Sequence, residues 1–327
     1  MKENHMSFLH TETGEQLLTL AALERDAPLS QLEEAATMLG NLAERAYSGD
    51  GEAYRTYQSI LYHNIHQRGR SVSDPKRLWL AQQLYQVQER FIPDVNDPEI
   101  SSPQAFKELI DQEVSQRARL THPMSVHLYG GAPNQSEIDL FLQHHWLRSA
   151  LFYRLIGEFA LRFESFEDST PLYENLFDES GNGVPTKAHP TLLQNLLRYR
   201  GLPCEIDETS TMPQEQAYLN DRIRCMRHPD LAWGLAVVYL IEDVTSANHR
   251  KIHGMLERAG VPAEFLEFHR LHGFVDEVHA AELWGLVASR SHDDEFRRTF
   301  LRSVRQHFRI AREYYDALWS KMSALPV

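Results

Sequence analysis

Apolar residues recur at spacings of three and four along almost the whole chain. Between residues 15 and 47 these positions include Leu17, Leu20, Leu32, Leu39 and Leu42, which is the period of amphipathic helices. No alternation of apolar and polar residues, the pattern of a half-buried strand, continues for more than a few positions. The chain is therefore predicted to be all-α.

The same period predicts two helices within 15–47 and further helices over 51–67, 75–91, 103–119, 135–163, 169–179, 187–200, 213–225, 229–257, 262–288 and 292–322. A loop is predicted over 120–134. Three prolines between residues 92 and 103 predict a linker. We therefore expect an N-terminal helical extension over 1–110 and a helical bundle over 111–327.

Composition excludes several classes of function. The 33 Lys and Arg against 46 Asp and Glu give a net charge of −13, which argues against nucleic-acid binding. Two cysteines in 327 residues exclude a disulfide framework and a Cys-based zinc site. No apolar run reaches the roughly 20 residues of a membrane span. The polar first residues have no apolar leader segment, so we expect a cytoplasmic protein.

The common catalytic signatures are missing from the chain, while histidine is abundant at 17 residues. There is no GxGxxG, P-loop, CxxC, HExxH or GxSxG motif. No histidine has a glutamate three positions before it, so the Glu-x-x-His pairs of ferritin-like di-iron bundles are also missing. Any metal or catalytic site must therefore use another arrangement.

The densest group of candidate ligands is LHGFVDEVH, residues 271–279. On a helix, His272, Asp276 and His279 fall within roughly 60° of one another. Two imidazoles and a carboxylate with open positions suit non-haem iron or manganese better than structural zinc. The alternative is a solvated helix face, and neighbouring His269 and Glu277 are expected at the surface.

Further candidates surround a glycine-containing break and follow a long apolar stretch. Glu179 precedes Gly181 and Gly183, and His189 follows them, so the two side chains can approach one site. The alternative is an ordinary acidic turn. Glu242 ends an apolar stretch and needs a partner or metal if buried. With His249 and His253 on the same helical face it also forms a rival set of ligands. The polar Asn248, Arg250 and Lys251 indicate instead that this turn is solvated.

Three more residues are candidates for supporting roles. Glu158 lies in the predicted 135–163 helix and looks buried, so it can face the core of the bundle. Arg305 and Arg309 share a helix face and can hold a substrate carboxylate by bidentate contacts. The alternative for the arginines is a basic surface that balances acidic neighbours.

Together, these segments resemble the haem-oxygenase-like di-iron oxidases, whose scaffold is related to the thiaminase-like and pyrroloquinoline-quinone-synthase-like proteins. The resemblance covers residues 120–320, and its most specific part is His272-x-x-x-Asp276-x-x-His279. It implies a haem-oxygenase-like helical bundle. Carried over by position, it also implies six iron ligands: Glu179, His189, Glu242, His272, Asp276 and His279. It further implies Glu158, on the first core helix, as a possible additional carboxylate ligand.

The resemblance further implies two iron ions per chain, one of them labile, with dioxygen as co-substrate. The expected activity is oxidation of a small amino-acid-like or carboxylate metabolite in specialised biosynthesis, by N-oxygenation, C–C cleavage or decarboxylation. Expected partners are the small substrate, an external electron donor and a second copy of the chain, with neither nucleic acid nor membrane. The alternatives are a thiaminase-like hydrolase or cofactorless oxidase on the same fold, and a non-catalytic helical binding protein.

Overall fold

The computed structural model describes residues 13–66, 74–95, 102–116, 121–205 and 211–326, and no strand occurs among them. The all-α prediction is confirmed. The chain divides into two compact units, Met1–Pro93 with Asp207–Asn220 and Asp94–Ile206 with Asp221–Val327. Residues 67, 96–101 and 117–120, which belong to predicted helices, the linker and the predicted loop, lie outside the described part.

The first unit is built from short amphipathic helices. They are α1 (Gly14–Ala22), α2 (Leu29–Tyr47), α3 (Gly51–Ile60) with a π-helical turn at Leu61–Ile65, and α4 (Pro75–Glu89). Their apolar stripes pack into one core that contains Leu39, Tyr57 and Leu84, each fully buried. Asp50 and Asp74 cap α3 and α4 by accepting backbone N–H bonds, which fixes where these helices begin.

The second unit contains the longer helices. In chain order they are α5 (Pro103–Gln116), α6 (Pro123–Gly130), α7 (Gln135–Ser149), α8 (Phe152–Ala160), α9 (Phe166–Glu179), α10 (His189–Tyr199), α12 (Leu231–Arg258), α13 (Glu267–Arg290) and α14 (Asp294–Ser323). Helix α11 (Pro213–Arg227) has residues in both units. Every residue from Ala232 to Glu242 is buried, so the first half of α12 is a core helix rather than an amphipathic surface helix. Helix α13 packs along α12, and α9 and α10 contact α13.

Two sequence predictions for this unit are wrong. The 120–134 loop contains helix α6, which begins at Pro123 because His122 Nδ1 accepts the N–H of Met124 at 3.2 Å. The single 135–163 helix is two helices, α7 and α8, separated at Ala150 and Leu151. Beside this break, Nη1 of Arg222 donates to the carbonyl of Arg148 at 3.2 Å, a tertiary contact that the local sequence does not reveal.

None of the described helices is both long enough and apolar enough to cross a membrane.

Candidate metal centre

Helix α13 carries the three candidate ligands of the LHGFVDEVH segment into the interior. His272, Asp276 and His279 are only 8 %, 2 % and 4 % exposed, so the solvated-face alternative does not describe them. Phe274 and Val278 on the same helix are 64 % and 56 % exposed. The helix therefore directs its polar residues inward and some apolar residues outward, the reverse of an ordinary surface helix.

The first ligand group consists of Glu179, His189 and His272. Oε1 of Glu179 lies 3.1 Å from Nδ1 of His189 and 3.2 Å from Nε2 of His272. Glu179 and His189 are also buried, at 7 % and 5 % exposure. Helix α9 ends at Glu179 and α10 begins at His189, so the two residues flank the break between these helices.

The chain crosses this break in a left-handed turn. Gly181, Asn182 and Gly183 have φ values of 71°, 54° and 78°, a region that glycine enters at little cost. At Gly181 a Cβ would meet the backbone of Lys187 and Ala188, so only hydrogen fits there. These two requirements explain why a glycine-containing segment separates Glu179 from His189.

The second ligand group consists of Glu242, Asp276 and His279, with one donor atom from each within 4.8 Å of the others. Asn175 donates to Oε1 of Glu242 at 2.9 Å, and the hydroxyl of Thr245 lies 2.7 Å from Oδ2 of Asp276. These contacts fix the orientation of both carboxylates. Such supporting hydrogen bonds orient metal ligands in proteins.

The imidazoles are held at one nitrogen and face carboxylates with the other. Nδ1 of His272 donates to the carbonyl of Phe268 at 2.9 Å, which leaves Nε2 toward Glu179. Nε2 of His279 lies 3.1 Å from Oδ2 of Asp178, and its Nδ1 lies 3.5 Å from Oε2 of Glu242. A carboxylate or carbonyl on the far nitrogen is the usual support of a metal-bound histidine.

Burial and charge shift the protonation of these groups strongly. Burial disfavours a charged His279, but Glu242 and Asp178 raise its pKa to about 9. Burial would raise the pKa of Glu179, but His189 and His272 hold it below its usual range. The pKa of Asp276 is raised by burial, and the nearby Glu242 contributes to that rise. Without metal, protons therefore balance part of the buried negative charge.

The donor set fits a divalent cation. Three buried carboxylates and three buried imidazoles form two groups, and a metal ion can replace the protons that now lie between them. Mixed imidazole and carboxylate donors, three per ion, leave positions open for small molecules and suit iron or manganese. Glu179, His189 and His272 would hold one ion, and Glu242, Asp276 and His279 the other.

One cavity connects the two groups. It has a volume of about 60 Å³, enough for a few water molecules. Residues of both ligand groups contribute to its wall, together with Arg148 and Arg222, which are 4 % and 8 % exposed. The two guanidinium groups therefore place positive charge in the same cavity wall as the candidate ligands.

The other predicted site residues lie elsewhere. Glu158 forms an ion pair with Arg227 at 3.0 Å and belongs to neither ligand group. Arg305 binds Glu113 at 2.6 Å, and the exposed Arg309 binds Glu313 at 2.6 Å. Neither arginine lines the cavity. Their predicted contact with a substrate carboxylate is not supported by this placement, because their charges are already used in ion pairs at another place.

His249 and His269 differ from their expected environment. The polar neighbours of His249 suggested a solvated turn and His269 was expected at the surface, yet they are 4 % and 0 % exposed. His249 stacks on His272 with ring centroids 4.5 Å apart, rather than joining Glu242 in a rival ligand set. The expectation for Glu277 is met, since its side chain is 62 % exposed in an ion pair with Arg250.

Several supporting residues were missed in the sequence. Asp178, Asn175 and Thr245 contact candidate ligands, and Arg148 and Arg222 line the cavity. Only Asp178 had a recognisable signal, because an acidic residue at the end of a helix is unfavourable for the helix dipole and needs another reason. The contacts of the others depend on helices far apart in the sequence.

Comparison with known proteins identifies the family of the chain. Residues 139–312 match a family model described as "Iron-containing redox enzyme", and that segment contains both ligand groups. The chain belongs to this family. Residues 6–91 match a model described as "Haem-oxygenase-associated N-terminal helices". The predicted haem-oxygenase-like bundle with an N-terminal helical extension is therefore confirmed.

A solved structure shares the fold at low sequence identity. It is a CADD-like protein of unknown function from Nostoc punctiforme, 16 % identical, which aligns with a TM-score of 0.57 over 67 % of this chain and 98 % of that one. At this identity the likeness shows the fold alone. No protein of curated function matches the chain.

Proposed function

We propose that this protein is a dioxygen-dependent oxidoreductase with two non-haem iron ions, one in each ligand group. The observation that carries the proposal is the pair of buried triads around one cavity, each with imidazole and carboxylate donors. Ferrous ions with open coordination positions would supply the reduction of dioxygen. Membership of the iron-containing redox family supports the choice of iron.

The chain's own residues would provide ligand geometry and exclude water. Asp178, Asn175 and Thr245 keep His279, Glu242 and Asp276 in fixed orientations, so little rearrangement accompanies metal uptake. The ligand residues are at most 8 % exposed, which limits access of bulk water to the centre. A buried, small cavity of this kind protects a reactive oxidant from side reactions.

The proposed substrate is a small amino-acid-like or carboxylate metabolite. Arg148 and Arg222, rather than Arg305 and Arg309, would bind its carboxylate, because they line the cavity beside the ligand groups. Dioxygen fits the cavity of about 60 Å³ as it stands. A metabolite needs lining side chains to rotate, so we expect substrate binding to enlarge the cavity. An external electron donor would complete the reaction, as the resemblance implies.

Metal titration tests the proposal. Anaerobic ferrous iron should bind at two or more ions per wild-type chain, and mixing with dioxygen should give a transient visible absorbance. His272→Gln and Asp276→Asn should each remove one ion and abolish the transient. Matched controls are His122→Gln and Glu158→Gln, which change a buried histidine and a paired glutamate outside both groups. The controls should retain full binding.

The outcomes separate the proposal from its alternatives. Iron binding well below two ions per chain, with no effect of His272→Gln or Asp276→Asn, would contradict it. Stoichiometric iron without reaction with dioxygen would indicate a metal-binding protein that is not an oxidase. If the protein still converts a substrate after all iron has been removed, that result would favour a hydrolase or a cofactorless oxidase on the same fold.

A further inference from the structure

Three buried histidines form another group beside the first ligand group. His145 on α7, His249 on α12 and His269 on α13 are 4 %, 4 % and 0 % exposed. One ring nitrogen from each lies within 4.8 Å of the others. This imidazole group contains no carboxylate and shares no residue with either ligand group. Its chemistry therefore differs from that of the proposed iron positions.

The arrangement of its nitrogen atoms suits a shared ion. Nδ1 of His249 and Nδ1 of His269 are 2.9 Å apart. Two imidazole nitrogens at that separation share one proton, and moving them apart by about 0.5 Å lets both bond to one tetrahedral metal ion at about 2.1 Å. A proton shared by His249 and His269 does not involve His145, whereas one ion would contact all three rings.

We propose that His145, His249 and His269 form a separate site for a divalent transition-metal ion, with zinc as the best match. Three histidines with a fourth, open position are a recognised zinc arrangement. His145 and His249 line the same cavity as Glu179 and Asp276, so the open position would face that cavity. The ion would bind water or an anionic group there.

Binding of the ion at this site depends on which ring nitrogen of His145 carries the proton. Nη2 of Arg148 donates to Nδ1 of His145 at 3.2 Å, so the neutral ring carries its proton on Nε2. For the ion to bond to Nε2 of His145, the ring proton must pass to Nδ1, so Arg148 must release Nδ1 as the ion binds. Binding of the ion needs unprotonated imidazole nitrogens and competes with protons, so titration at about pH 8 favours zinc uptake.

Zinc stoichiometry of the full-length, metal-free protein tests the proposal. Equilibrium dialysis at pH 8 should load three zinc ions per wild-type chain, measured by elemental analysis. His269→Gln and Asp276→Asn should each hold two, and the double variant one, because the sites are separate. His122→Gln should match the wild type. Equal loading of His269→Gln and wild type would overturn the proposal.

Two further results keep the test decisive. If His269→Gln does not fold, anomalous diffraction at the zinc edge of the wild-type protein decides: a peak among the three imidazoles supports the site, and its absence with both ligand groups occupied rejects it. If the proposed oxidoreductase function fails, Asp276→Asn loads as much zinc as the wild type. The loss caused by His269→Gln does not depend on that result.

Discussion

Replacing Gly181 with alanine should distort the turn between α9 and α10. Glu179 and His189, the two ligands of the first group on either side of this turn, should then move apart. Gly181 has a φ of 71°, where a side chain costs about 1–2 kcal/mol. The new Cβ would lie 2.6 Å from the carbonyl oxygen of Val184 and still closer to the backbone of Lys187 and Ala188. Backbone cannot rotate away as a side chain can, so overpacking adds about 1–3 kcal/mol.

Gly183→Ala is the matched control. Its φ of 78° carries the same conformational cost, but its Cβ would meet only a ring carbon of Phe177, at 3.8 Å. We expect the free energy of unfolding of the metal-free protein to fall by about 3 kcal/mol for Gly181→Ala and by about 1 kcal/mol for Gly183→Ala. Urea unfolding of both variants and the wild type measures the difference.

Iron binding gives a second measure of the same turn. Relief of the clash at Gly181 requires the segment between Glu179 and His189 to move, which separates two ligands of the first group. Gly181→Ala should therefore lose one iron ion and keep the other, while Gly183→Ala keeps both. Equal stability and equal iron content of the two variants would refute this account of the turn.

Three other perturbations have defined outcomes. Asn175→Ala removes the hydrogen bond to Glu242 and should weaken only the second ion, about 10- to 100-fold in a competitive titration. Burial would raise the pKa of Asp221, but Arg224 and His307 lower it to about 2 from 3.8, so stability on the order of 2 kcal/mol is present above pH 4 and lost as pH falls through 2. Urea unfolding between pH 2 and 5 should show a steeper loss of stability in the wild type than in Asp221→Asn, which keeps the contribution of Glu179, whose pKa is also lowered. Chelation of bound metal should lower the unfolding free energy by about 4 kcal/mol if free metal had stood at 1,000 times its Kd, and an unchanged melting curve would show that no metal stabilised the fold.

The three ligands on α13 could be predicted because they lie within two turns of one helix. His272, Asp276 and His279 are four and three residues apart, and helix geometry alone places them on one side. The approach of Glu179 and His189 could be anticipated for a similar reason, since only nine residues, two of them glycine, separate them. Both inferences need only the local path of the chain.

The imidazole group could not be predicted, because it depends on which helices meet. His145, His249 and His269 come from three helices, and hydropathy assigns the same value to a buried polar side chain and an exposed one. The flanking Arg250 and Lys251 made His249 look solvated. Those residues face outward while His249 faces inward on the same turn of α12.

The break between α7 and α8 was missed for a related reason. No proline or glycine occurs at Ala150 or Leu151, so propensity favours one continuous helix there. The helix is interrupted beside a carbonyl that accepts a bond from Arg222, more than 70 residues later in the chain. Tertiary contact overrides local preference at this position.

Helix α13 gives one ligand to the first group and two to the second, so a single rigid element belongs to both proposed iron positions. Occupying either position restricts the rotation and translation of the whole helix. Binding of the first ion therefore already reduces the conformational entropy of α13. Binding of the second ion then costs less of that entropy. Loading of the centre should therefore be cooperative, with few singly occupied chains at intermediate metal concentrations.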